Sequence, residues 1–258
     1  MSNHVFTGDR TLHETTRSET IDDLEEPIRT AAKGRLNRPG GAASQRMKLL
    51  CGPCNNIWGR NIHDTAIPFL VPLLTKGEWQ NLAADTARAI ANWAVMVTMN
   101  CEFADTNTLA TTPEQRKSFR DCGLEAIPFQ VYLGLCQPAM SPCAFWHRAA
   151  AAHLDDEPKP ELLNAQTTTF YFGHCFFHVV STTVDWLEAK PEPYAAALGI
   201  RQVWPLAEQI PLKPLIFSHH GVLRVGHLFW DELVPERDTH HGIWIPTQNL
   251  PGETTWFD

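Results

Sequence analysis

Long apolar runs are missing from this chain. No stretch of its 258 residues approaches the ~20 apolar residues that a helix needs to cross a bilayer. The first residues are polar and lack the apolar core of a secretory signal, so a reducing, cytoplasmic setting is expected, in which most of the seven cysteines stay as thiols. There is no Gly-x-Gly-x-x-Gly, no phosphate-binding Gly-x-x-x-x-Gly-Lys loop and no Gly-x-Ser-x-Gly elbow. Dinucleotide, nucleotide-hydrolysis and serine-hydrolase chemistries therefore have no support. Positive charge is also scarce, with a formal net charge of -8. Phosphate contacts supply most of the affinity of a nucleic-acid binder, so an acidic balance argues against strong non-specific binding unless a local basic patch exists.

One segment could form that patch. Arg29, Lys33, Arg35, Arg38, Arg46 and Lys48 fall in a stretch without an acid, directly after the acidic run from Glu14 to Glu26. A solvated loop with ordinary charges is the competing account. The hydrophobic content of 43%, with nine Trp and thirteen Phe, is enough for one sizeable core or two small ones.

The first fifty residues are polar and poorly periodic, and Asn37–Ser44 reads as a loop. From Asn55 to about Leu74, Ile57, Trp58, Ile62, Ile67, Leu70, Val71 and Leu74 recur at helical steps, with a kink or break expected at Pro68 and Pro72 and an end at Gly77. A second helix is expected from Glu78 to Glu102, carrying Leu82, Ile90, Trp93 and Val97 on one face, and a third from Pro113 to Arg120. Trp58, Leu70, Leu74, Leu82, Ile90, Trp93 and Val97 are the expected core between the first two. Beyond them Phe129–Leu135 alternates like a strand, and Thr167–Val180 reads as one long strand bent at Gly173. Ala144–His153 fits helix or strand, and Val222–Trp230 and Gly242–Ile245 read as short strands. Gly173-His-Cys-Phe176 is echoed by Gly226-His-Leu-Phe229, which raises an internal duplication as one explanation.

The chemistry-bearing feature is Cys51-Gly-Pro-Cys-Asn-Asn-Ile-Trp58, with Asn3-His-Val-Phe6 upstream. Two cysteines separated by two residues can grip one zinc ion from a tight turn, and Asn55 is placed to cap the helix that follows. Structural zinc wants four ligands, so His4, His13 and His63 are the candidates to complete the set. The later histidines have no diagnostic spacing. His174 and His178 would lie about 13 Å apart on one strand face, too far to share a metal. His219–His220 and His240–His241 fall in loop-like sequence.

Asn3-His-Val-Phe6, Leu50-Cys-Gly-Pro-Cys-Asn-Asn-Ile-Trp58, Ile67-Pro-Phe-Leu-Val-Pro-Leu-Leu74, Ile90-Ala-Asn-Trp-Ala-Val95, Phe172–Val180 and Val203-Trp-Pro205 together resemble a family of bacterial and phage HNH-like endonucleases, over roughly residues 1 to 215. The Cys-Asn-Asn-x-Trp core is its most specific part. The resemblance implies a small ββα-metal module in which His4 is the general base, Asn55 holds a divalent ion such as magnesium or manganese, and Cys51 and Cys54 are half of a zinc clamp. The sequence departs from that pattern at three points. Asn3 stands where the family has an acid, Thr7 replaces a proline, and no cysteine precedes Cys51.

The expected architecture is α+β: a degraded ββα module with a long polar loop over residues 1–76, then a helical and β-rich part over 77–258. Two functions follow from different classes. One is an HNH-like metal-dependent nucleic-acid phosphodiesterase, or a descendant that has lost cutting, with DNA as a partner. The other is a non-catalytic accessory factor of phage or mobile-element origin that binds a protein.

Overall fold

A computed structural model describes residues 15–19, 28–32, 51–78, 82–104, 108–138, 143–154, 163–185, 187, 192–206, 214–233 and 241–244. The fold is α+β. Strands β1 (Thr15–Glu19) and β2 (Ile28–Ala32) form a two-stranded antiparallel hairpin with Thr15 opposite Ala32 and Glu19 opposite Ile28. His4, His13 and the basic residues from Lys33 to Lys48 lie outside the described residues.

The first long helix starts at the Cys turn. A wide π-helical turn, Cys54–Gly59, runs straight into α1 (Arg60–Lys76). The expected break at Pro68 and Pro72 does not occur. Each proline removes one backbone donor, but Ala66, Leu70, Leu73 and Leu74 are buried on one face, and that packing carries the helix through. Gly77 ends it with a left-handed backbone (φ 63°), and its N–H reaches the Leu73 carbonyl at 2.9 Å. The second helix, α2 (Ala84–Cys101), begins later than its periodicity suggested because Ala83 is extended. Helix α3 (Pro113–Cys122) is closed at its start by a reciprocal pair, Gln115 N–H to the Thr112 hydroxyl and Thr112 N–H to the Gln115 side chain.

The sheet follows in β3 (Phe129–Cys136), β4 (Cys143–Leu154), β5 (Ala165–Phe172), β6 (Cys175–Thr182), β7 (Arg201–Trp204), β8 (Ile216–Phe217) and β9 (His241–Trp244). Its order is β7-β3-β6-β5-β4-β9, with β8 also against β3; all pairings are antiparallel except β3 with β8. Residues 144–153, ambiguous by period, are strand. Two expectations are overturned. The run from Thr167 to Val180 is a hairpin, β5 and β6 joined through Gly173 (φ 55°) and His174, rather than one bent strand. A Cβ at Gly173 would sit 2.1 Å from the Leu74 carbonyl oxygen, so the turn is fitted to the end of α1. The region around Val222–Trp230 is helix, α5 (His219–Leu233), because Val222, Val225, Phe229 and Leu233 recur at helical steps on a buried face. The Gly-His-x-Phe echo therefore falls on a turn in one copy and mid-helix in the other, and duplication does not explain it.

The helices cover both faces of the sheet. Phe129, Val131, Leu133 and Leu135 of β3 and Cys175, Phe177 and Val179 of β6 face α1, α2 and α3. Tyr132, Phe176, Val180 and Tyr171 face the other way, onto α5 and the short α4 (Glu192–Ala197). Leu70, Leu74, Leu82, Ile90 and Trp93 are buried as expected, with Trp58 and Val97 partly buried against the same core. The boundary expected after residue 76 thus falls at the cap between two helices that share one core. Trp93 meets Phe170, Phe172 and Phe177 at centroid distances of 6.0, 5.8 and 5.4 Å, edge-on in each case. Trp93→Ala should lower stability by about 3–5 kcal/mol, read as a fall in melting temperature; an unchanged melting curve would refute the packing of α2 on the hairpin.

Candidate functional site

Cys51 does what Asn55 was expected to do. The Cys54 N–H donates to the Cys51 sulfur at 3.2 Å, and the Asn55 N–H reaches the Cys51 carbonyl at 2.8 Å. The thiol is therefore the group that closes the helix start. Asn55 lies inside the first turn, exposed, with its amide turned to the Asn56 side chain at 3.3 Å. The motif predicted two cysteines facing each other across a tight turn; the geometry joins them through the Cys54 N–H and the Cys51 sulfur. Interaction with Cys54, its thiol and its N–H, holds the Cys51 thiol below its usual range, while Cys51 and burial push the Cys54 thiol above its own.

Arg120 is a member of this site that sequence reasoning missed. Its guanidinium forms a paired contact with Asp121 (2.7 and 3.1 Å), and it acts to lower the pKa of the Cys54 thiol, against the larger raising effects of Cys51 and burial. Asp121 is the larger influence on the guanidinium, raising its pKa, and Cys54 adds to it. Arg120 arrives there by packing. Trp58, one turn beyond Cys54, meets Phe119 edge-on at 5.4 Å. Helix α3 is in turn anchored by the fully buried Glu102, which accepts from Arg116 at 2.6 Å, from the Thr111 N–H at 3.2 Å and from the Thr111 hydroxyl. Burial pushes the Arg116 guanidinium downward and the Glu102 carboxylate opposes it.

The ligand set implied for a metal can be tested on these residues. Among the described residues no group of three or more His, Cys, Asp or Glu side chains converges on a point that could hold an ion. Cys51 and Cys54 supply two sulfurs, while Asn55 offers a neutral amide whose NH2 donates to the Asn56 side chain. His63 lies on α1, half-buried, with burial lowering its pKa. These residues alone do not fit a structural zinc, which wants four ligands, and His4, the expected general base, lies outside the described residues.

Among the later histidines, His147, His178 and His227 have side-chain hydrogen-bond partners within the fold. His174 sits in the β5–β6 turn, not on a strand face beside His178, and its N–H meets the Leu74 carbonyl at 3.0 Å. His219 and His220 open α5 rather than a loop, and His241 begins β9; His240 lies outside the described residues. His147 spans the Thr108 carbonyl and the Thr168 hydroxyl, both at 2.8 Å. His227 accepts from Arg148 at 3.1 Å. His178 is fully buried between the Thr169 hydroxyl (2.7 Å) and the Phe229 ring (4.3 Å between centroids). No helix among the described residues is long and apolar enough to cross a membrane. Set against models of known protein families, curated proteins and solved structures, the chain matches none.

Burial lowers the His178 pKa from 6.5 to about 3. The unfolded chain therefore takes up a proton below pH 6.5 that the folded chain refuses, and stability is lost as pH falls from 6.5 toward 3. Over that window this residue should contribute up to about 1.4 kcal/mol of loss per pH unit. His178→Gln keeps a partner for Thr169 and cannot titrate, so denaturant unfolding of this variant should lack that part of the acid slope. Identical slopes in both proteins would refute the assignment.

Proposed function

We propose that this chain is an HNH-like nucleic-acid phosphodiesterase or a descendant that has kept the scaffold and lost cutting. What supports the reading is the order of its parts: an antiparallel hairpin, then a Cys-x-x-Cys-Asn-Asn-x-Trp turn, then a helix opening at that turn. In this reading His4 takes the proton from the attacking water. Asn55, Cys51 and Cys54 do not by themselves supply the ligands of the ion that such sites employ. Basic side chains between Arg29 and Lys48 would meet the phosphates.

A second reading, a non-catalytic factor that binds a protein, has one observation in its favour. Leu215 and Ile216, at the sheet margin, are 51% and 65% exposed, a small apolar surface of the kind a protein partner covers.

Plasmid DNA and single-stranded RNA incubated with magnesium or manganese separate the cases. An active enzyme should lose cleavage by about 100-fold or more in His4→Ala while its circular dichroism is unchanged. Salt-sensitive binding without cleavage would identify the degraded descendant. Cleavage that survives His4→Ala would overturn the role given to His4. Neither binding nor cleavage would leave the protein-binding reading.

A further inference from the structure

We propose that Cys51 and Cys54 form a redox-active dithiol that exchanges with accessible disulfides, a role independent of any nuclease chemistry. Four features carry it. The two cysteines occupy the opening turn of one helix, with the Cys51 sulfur against the backbone N–H of Cys54 itself, so closing an S–S bond requires no distant segment to move. Cys51 is exposed and Cys54 half-buried, which gives the pair an outer attacking sulfur and an inner resolving one. The Cys54 N–H points at the Cys51 sulfur at 3.2 Å, where it stabilises negative charge on the attacking atom. The approach is open: a Cβ built on Gly52, between the two cysteines, would meet nothing within 4 Å. A sequence that reads as half of a metal clamp thus folds, in its described part, into a complete dithiol site.

The exchange has two steps. The Cys51 sulfur, as thiolate, attacks one sulfur of R–S–S–R. That S–S bond breaks, and R–S⁻ departs with the electron pair and takes up a proton. The Cys54 sulfur gives its proton to solvent and attacks the Cys51 sulfur in the mixed disulfide, which expels the second R–S⁻, protonated in turn. The substrate disulfide has gained two electrons and become two thiols, and the chain holds a Cys51–Cys54 disulfide.

The full-length chain tests this directly. Reduced protein is treated with oxidised glutathione in one arm and a disulfide-bonded protein, insulin, in the other, and its thiol state is mapped by peptide mass. An intramolecular Cys51–Cys54 disulfide in either arm, reversed by reduced glutathione, is the expected result, and the reactive arm tells small from protein substrates. Cys54→Ser should trap glutathione on Cys51, whereas Cys51→Ser should form no disulfide. Cys122, also exposed but outside the Cys-x-x-Cys turn, is an internal control that needs no variant. Iodoacetamide should label Cys51 at least about tenfold faster than Cys122. Thiols that stay reduced in both arms would overturn the proposal. So would equal labelling of Cys51 and Cys122, or purification with one zinc per chain that protects the pair from oxidation.

Discussion

The edge-on packing of Trp93 against Phe170, Phe172 and Phe177 joins the helices to the sheet, and the placement of almost everything else follows from it. One ring on α2 fixes that helix over the β5–β6 hairpin. Helix α1 then lies against α2 through Leu70, Leu73 and Leu74, and its last turn meets the hairpin again where the Leu74 carbonyl receives the His174 N–H. The far end of α1 is held by a separate contact, Trp58 on Phe119. A helix fixed at both ends presents its first turn in one orientation, and that turn carries Cys51 and Cys54.

The polar cluster around Glu102 acts on the same site at one remove. A carboxylate with no solvent exposure is tolerated because Arg116 and Thr111 supply its hydrogen bonds, and removing one partner of such a pair generally costs about 3–5 kcal/mol. The cluster ties the end of α2 to α3, so Phe119 and Arg120 stand where Trp58 and Cys54 need them. Arg120 is consequently a surface residue whose position is set by buried ones.

The elements that the sequence made legible are those with one period and a clear stop. Helix α1 has apolar steps of three and four and a glycine at its end, and α3 has proline at its first position and a capping threonine before it. The strands β5 and β6 were harder, because both faces of the sheet are covered. Phe176 and Phe177 are both fully buried on opposite faces, so the alternation that marks a one-sided strand is absent. Two buried strands and a tight turn then look like one long apolar run, and Gly173 alone marks the reversal. Helix α5 was hidden differently: its valines and aromatics favour strands locally, yet their spacing of three and four follows the helix, and burial against β5 and β6 decides between them. At the site, the cysteine spacing announced a helix start, but chemistry alone did not tell which side chain would cap it. The thiol of Cys51 took the role because the chain turns into helix one residue after it. Arg120 left no local signal, since its approach to Cys54 exists only once α1 and α3 are packed.

Among the described residues, the outermost strands of the large sheet are brief. Strands β7 and β9 have four residues each and β8 has two, against twelve in β4 and eight in β3, β5 and β6. Pro205 follows β7 at once and cannot donate to a neighbouring strand. A growing fibril recruits chains through long, flat rows of free backbone donors and acceptors, and β7 and β8 offer only short rows. Strand β6, whose residues from Cys175 to Ser181 are all buried, is the poorest template for such recruitment, because it is paired along its length with β5 on one side and β3 on the other.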